Sequence, residues 1–242
     1  AQIQNGGFET GNFSSWTLRD YNRTNTTIPV TSSAQLGLTA TGAVSNGGDG
    51  TGFRSAVLTS AGTAPNTNNS LKYPFSGSAS AKLGDSGGFK ATSMEQVATM
   101  SLADVDPVDN KVHIRFAMAP VLNNPGHAAS QQPFFFVEVI NQTKGTTLFT
   151  TFNYSNQPGI PWQSVGAYQY TDWQGFDISP GNGLLDVGDQ VLLKVYVSNC
   201  AAGAANHTGQ VYVDVFGSRM PGLSVSATGP STTKPGQQIT YT

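Results

Sequence analysis

Charge is scarce in this chain. Asp, Glu, Lys and Arg make up 11% of its 242 residues and leave a formal net charge of −2, with a pI near 5.8. Without a basic surplus there is no field on which phosphates condense, so nucleic acid is not expected as a partner and anionic membranes are disfavoured. Long apolar runs are missing too, and nothing approaches the ~20 residues that a membrane helix needs, so no membrane insertion is expected. The chain begins at Ala1 with no basic and apolar leader, so any signal peptide is expected to have been removed already. Cysteine is nearly absent. With Cys200 alone no intrachain disulfide can form, and stability must come from the core, a bound metal or assembly. Cys200 itself reads as a small buried apolar residue, with an interchain bridge as the alternative.

Catalytic signatures are also lacking. There is no Gly-x-Ser-x-Gly elbow and no His-Glu-x-x-His pair, and His113, His127 and His207 have no metal-ligand spacing. Glycoside hydrolysis needs two carboxyl groups facing across a cleft. The glutamates are Glu9, Glu95 and Glu138 alone, and the aspartates fall mostly in turn-like segments, so the chain is expected not to be an enzyme.

Helical periodicity is nearly absent as well, whereas alternation with period two recurs. In residues 111–118, Val112, Ile114, Phe116 and Met118 share one face while Lys111, His113 and Arg115 share the other, the pattern of a half-buried strand. Residues 191–197 and 211–216 alternate similarly. Residues 134–140 are apolar on nearly both faces and predict a central strand, and residues 148–154 and 173–178 complete the set. Between them lie turn signals such as Asn123-Asn124-Pro125-Gly126, Lys144-Gly145 and Gln157-Pro158-Gly159. Residues 31–70, rich in small and polar side chains, predict an edge strand with long loops, and residues 101–105 predict one short helix. The expected fold is all-β: an antiparallel two-sheet sandwich over residues 1–218.

Composition shifts after Arg219. Met220-Pro221-Gly222 reads as a linker, and the alternation from Leu223 and Val225, resumed at Ile239 and Tyr241, reads as two further strands. Two strands cannot bury a core alone. Residues 219–242 are therefore expected to open a second domain, to link to one, or to pair with another subunit through Leu223, Val225, Ile239 and Tyr241.

The run Asn5-Gly6-Gly7-Phe8-Glu9-Thr10-Gly11-Asn12-Phe13-Ser14-Ser15-Trp16 resembles the opening of jelly-roll carbohydrate-binding modules and of related modules in bacterial surface proteins. Residues 77–85, Thr171-Asp172-Trp173-Gln174 and Val211-Tyr212-Val213-Asp214 fit the same resemblance in order and spacing. The tail from Leu223 looks like the first strands of Ig-like surface repeats. In the resembling modules a structural calcium ties the first turn to an acidic residue on the last strand, and the matching residues here are Glu9 and Asp214. The residues support this independently: paired glycines permit a tight turn that exposes carbonyls, Phe8 anchors it, and Glu9 adds a hard anionic oxygen. Asp214 sits among Val213, Val215 and Phe216, where an uncompensated carboxylate is costly; the alternative is that it faces solvent. Residues 177–189 echo a calcium loop, but Gly181 and Gly188 stand at ligand positions, so a turn between strands is expected there. Asp104, Asp106 and Asp109 read as a solvated connection.

Trp162, Tyr168, Tyr170 and Trp173 cluster in sequence with Gln163, Gln169 and Gln174, which is chemistry suited to a polysaccharide; aromatics that simply plug a sandwich core are the alternative. Seven Asn-x-Ser/Thr sequons, at Asn12, Asn22, Asn25, Asn68, Asn141, Asn153 and Asn206, matter only in a host that glycosylates. The main expectation is a secreted, cell-surface structural or adhesive module that associates with itself or with other surface-protein domains. Carbohydrate binding through the aromatic platform is the alternative.

Overall fold

The computed structural model describes residues 3–181, 183–203 and 207–220. The expectations placed on Asn206, Leu223, Val225, Ile239 and Tyr241, and on the tail that carries the last four, lie outside them.

Strands in chain order are β1 (Thr17–Arg23), β2 (Leu38–Asn46), β3 (Ala56–Leu58), β4 (Gly62–Thr63), β5 (Lys72–Tyr73), β6 (Ser80–Leu83), β7 (Lys90–Thr99), β8 (Val105–Asp106) and β9 (Lys111–Val112). They continue with β10 (Ile114–Asn123), β11 (Phe134–Asn141), β12 (Thr146–Tyr154), β13 (Gln163–Val165), β14 (Tyr168–Tyr170), β15 (Gln174–Ile178), β16 (Gln190–Ser198) and β17 (Gly209–Gly217). One sheet runs β12-β11-β16-β7-β1-β2; the other runs β13-β14-β10-β17-β6-β3, with β15 also on β10. Every pairing is antiparallel. The fold is thus an all-β, two-sheet jelly-roll sandwich. The short helix expected near residue 101 is a single 3-10 turn, Leu102–Asp104, capped by Ser101.

Alternation decides which side chains meet between the sheets. Phe135, Val137 and Val139 from β11 and Val191, Leu193, Val195 and Val197 from β16 face Ile114, Phe116 and Met118 from β10 and Val211 and Val213 from β17. Each such side chain contributes ~1.5–3 kcal/mol when fully buried. Opposite neighbours on β11, Phe134 and Phe136, are buried as well, under Leu36 from the long connection between β1 and β2. This is why residues 134–140 are apolar on both faces. The expected edge strand in residues 31–70 is β2, at the rim of the first sheet.

β7 and β1 carried no clear alternating signal, yet they occupy the middle of a sheet. Their buried positions include Asp20, Thr92, Ser93 and Gln96, each satisfied by a specific partner: Asp20 takes Arg54, Thr92 donates to the Phe53 carbonyl, Ser93 shares a hydrogen bond with the Tyr21 hydroxyl, and Gln96 pairs with the Gln4 backbone. His113, expected on the solvent side, is also buried, because Asp109 and Asp177 close over its two ring nitrogens at 3.1 and 2.7 Å.

Candidate functional site

Two places in the fold collect the residues singled out from sequence. The first is built on the N-terminal turn. Asn5 Nδ2 donates to the Asn12 and Ser14 carbonyls, both at 2.9 Å, and the Trp16 indole donates back to the Asn5 carbonyl at 3.0 Å. The turn then docks on the last strand, where Phe216 N donates to the Gly6 carbonyl at 3.0 Å. Only glycine permits this approach, because a β-carbon at residue 6 would stand 1.9 Å from the Phe216 carbonyl oxygen.

β17 bulges at the docking point. Its pairing to β10 slips between Asp214 and Gly217, and Val215 has φ +55°, a left-handed conformation that costs a β-branched residue ~1–3 kcal/mol. The bulge leaves Asp214, 0% exposed, close to Glu9 over the connection that follows β5. Asp214 Oδ2 accepts from Phe75 N and Ser76 N at 3.0 and 3.1 Å, and Oδ1 accepts from Val215 N at 2.7 Å. Glu9 Oε1 accepts from Ser78 N and Ala79 N at 2.9 and 3.3 Å, and Oε2 from the Ser78 hydroxyl. Burial pushes the Asp214 carboxyl up to about 6, against its three backbone donors and with the Glu9 charge adding to the rise. Glu9 is exposed and is held below the usual carboxylate range, chiefly by Ser78. Among the described residues neither carboxylate has an ion-pair partner. A buried carboxylate close to a second one, both offering hard oxygens, fits an oxygen-liganded cation such as calcium.

The second place arises from Pro120 in the middle of β10. Its carbonyl accepts from Thr171 N, so its missing N–H lies on the same side, facing the neighbouring strand. There the partner of β10 changes: β15 pairs with Ile114–Met118 and β14 with Val121–Asn123. The link between β14 and β15, Thr171-Asp172-Trp173, crosses this break. It lines a cleft of about 450 Å³ together with Ile160, Pro161, Gln163 and Gln174. The Trp173 indole is half-buried, fixed by a 2.7 Å bond from Nε1 to the Lys72 carbonyl and by contact with Phe75 at 5.5 Å between ring centroids. Asp172 is exposed and is the single carboxylate in the lining.

Of the four aromatics expected to form a platform, only Trp173 lines the cleft. Tyr170 is 3% exposed and packs with Val121 and Tyr212, its hydroxyl donating to Gln163 at 3.1 Å. Tyr168 leans on the same cluster, and Trp162 is half-buried with its indole N–H shielded. A larger cleft, about 540 Å³, lies beside the β17 bulge, but Ser218 and Arg219 are its only polar side chains. The carboxylates of residues 177–189 are used within the fold: Asp177 holds His113 and Arg115, and Asp189 takes Asn141, Lys144 and the Asp186 N–H.

No family model and no curated protein matches this sequence. Among solved structures, the chain is similar to the enzymatically active domain of bacteriophage CBA120 tailspike protein 4, with 12% identity, a TM-score of 0.39, and coverage of 89% of this chain and 21% of that one. It is similar to a structure of carbohydrate-binding modules from the β-sandwich superfamily, with 11% identity, a TM-score of 0.38, and coverage of 87% and 59%. A third is CBM27-1 of Caldicellulosiruptor saccharolyticus in complex with mannohexaose, with 13% identity, a TM-score of 0.34, and coverage of 67% and 94%. The chain thus spans 21% and 59% of the length of the first two.

Proposed function

We propose that this chain is a non-catalytic, extracellular carbohydrate-binding module that takes a neutral polysaccharide at the Trp173 cleft, with a structural calcium ion between Glu9 and Asp214. The cleft carries the proposal. A sugar ring offers an apolar C–H face and a rim of hydroxyls, and here a fixed indole stands among a carboxylate and two amides, those of Asp172, Gln163 and Gln174. The low charge of the chain suits an uncharged ligand. Among the described residues no helix is long and apolar enough to cross a membrane. The structural or adhesive role expected from sequence rested on neutral Thr and Asn side chains, long loops and the strand pair beyond residue 220; the Trp173 cleft supports glycan binding as the main reading.

Glu9 and Asp214 would hold the calcium. When bound, the ion supplies the positive charge that the buried Asp214 carboxylate lacks and ties the first turn to the last strand.

Trp173→Ala is expected to reduce retention on polysaccharide by about 30-fold, the loss of a ~2 kcal/mol aromatic contact. Affinity electrophoresis across a panel of neutral glycans measures this. A folded Trp173→Ala protein retained as strongly as wild type would overturn the cleft assignment, and absence of retention on the whole panel would overturn glycan binding.

A further inference from the structure

The chain contains three histidines and one cysteine. The fold brings three of these four side chains to one place. His127 lies between β10 and β11, and Cys200 and His207 lie between β16 and β17. β10 and β17 belong to one sheet and β11 and β16 to the other, so both connections cross between the sheets. They do so at the same end of the sandwich, where Phe134 pairs with Ser198 and Leu122 with Gly209. Glu9 and Asp214 lie towards the opposite end of β17.

One donor atom from each of His127, Cys200 and His207 lies within 4.8 Å of the others. Nε2 of His127 and Nδ1 of His207 are shielded from solvent and have no hydrogen-bond partner, an arrangement that costs ~1–3 kcal/mol for each nitrogen. Gly203 leaves the space between them open: a β-carbon there would stand 2.2 Å from His207 Nδ1 and 3.3 Å from His127 Nε2. The two rings, 5.3 Å apart and tilted by 57°, do not stack. Cys200 is 1% exposed, and its sulfur accepts from Ala202 N at 3.1 Å. The Arg23 guanidinium is 3% exposed over the Phe134 ring and, among the described residues, has no carboxylate partner. Backbone bonds hold the frame: Cys200 N to the His207 carbonyl at 3.0 Å, and Ala201 N to the Gln131 carbonyl at 2.8 Å.

We propose that His127, Cys200 and His207 form a metal site for a borderline-soft first-row transition ion, Zn(II) foremost. Two imidazoles and a thiolate select such ions over calcium and magnesium, and three protein donors leave a fourth position for water or an incoming group. Tetrahedral Zn, with N and S at ~2.0–2.1 and ~2.3 Å, sets its donors about 3.3–3.6 Å apart, so the ligands need to close by at most about 1.5 Å on binding. The ion staples the two sheet-crossing connections, in a chain whose single cysteine rules out an intrachain disulfide.

The test titrates untagged, reduced, chelator-stripped protein with Co(II) and then Zn(II). One equivalent of Co(II) is expected to bind with thiolate-to-cobalt charge-transfer absorption, to be displaced by Zn(II), and Zn(II) at hundredfold excess over its dissociation constant is expected to raise Tm by about 5–10 °C. Cys200→Ser is expected to abolish the charge-transfer band. His127→Gln, in a half-buried loop position, tests the site should Cys200→Ser fail to fold, and is expected to weaken binding by about 100-fold or more. Gly203→Ala, which fills the space between the two rings, is expected to do the same, whereas His113→Gln keeps full binding. Absence of the charge-transfer band in the wild-type protein, or its survival in His127→Gln and Gly203→Ala, would overturn the site.

Discussion

In chelator, the unfolding free energy is expected to fall by ~2 kcal/mol as the pH rises from about 4 to 6, out of a total Asp214 contribution of ~3 kcal/mol, and Asp214→Asn is expected to lack that component of the profile. Asp214 has its carboxyl pushed up to about 6 in the folded protein, against an ordinary value of 3.8. The native state therefore holds this proton more tightly than the unfolded chain. Stability from this group is complete below the unfolded value and is lost as the pH climbs through the folded one. A difference of about two pH units corresponds to ~3 kcal/mol at ~1.4 kcal/mol each. Glu9, held low by Ser78, acts with the opposite sign at lower pH, so the window above about pH 5 belongs to Asp214. Asparagine keeps only one of the two acceptor oxygens that meet Phe75, Ser76 and Val215, so the comparison is of slopes across pH and not of absolute stability. Saturating calcium is expected to remove the fall, because the ion compensates the buried charge. Urea denaturation at several pH values, with chelator and with calcium, measures each arm. An identical slope in Asp214→Asn would sink the account of the carboxylate, and a slope indifferent to calcium would sink the ion.

Phe8→Ala is expected to cost ~3–5 kcal/mol, a fall in Tm of about 10 °C or more. Phe8 is 0% exposed, stacks on Trp16 at 5.9 Å and meets Phe13 and Phe216 edge-on at 6.0 and 6.5 Å. Its truncation opens a cavity at the joint that docks the N-terminal turn on the β17 bulge. Residue 8 has φ +57°, and alanine keeps the β-carbon, so backbone strain is common to both proteins and the loss reports packing. Val97→Ala is the control: 51% exposed on the outer face of β7, it is expected to change stability by less than ~0.5 kcal/mol. Calorimetry separates the two, and a Phe8→Ala protein that melts within 2 °C or so of wild type would show that the turn is not anchored by this ring.

The alternating runs from β10 to β17 were legible because an apolar residue at every second position has one structural use, burial on one side of a sheet. β1 and β7 escaped notice because their buried faces carry Asp20, Thr92 and Gln96, whose partners Arg54, Phe53 and Gln4 are distant in sequence. The resemblance carried by the N-terminal motif paired Glu9 with Asp214, and the structure brings the two carboxylates close together. The aromatic cluster around residue 170 was visible as composition. Which ring borders a cleft was not, since Tyr170 turns inward and Trp173 outward according to where Pro120 breaks the ladder.

By itself, then, the sequence determined the all-β class, the main alternating strands, the turn that begins the module and the poverty of charge on its surface, because each depends on neighbours within a few residues. Only the tertiary structure decided which strands share a sheet, which polar groups are buried, and that His127, Cys200 and His207 meet. Those three have no spacing to read: their convergence comes from two connections that leave different strands and cross between the sheets at the same end.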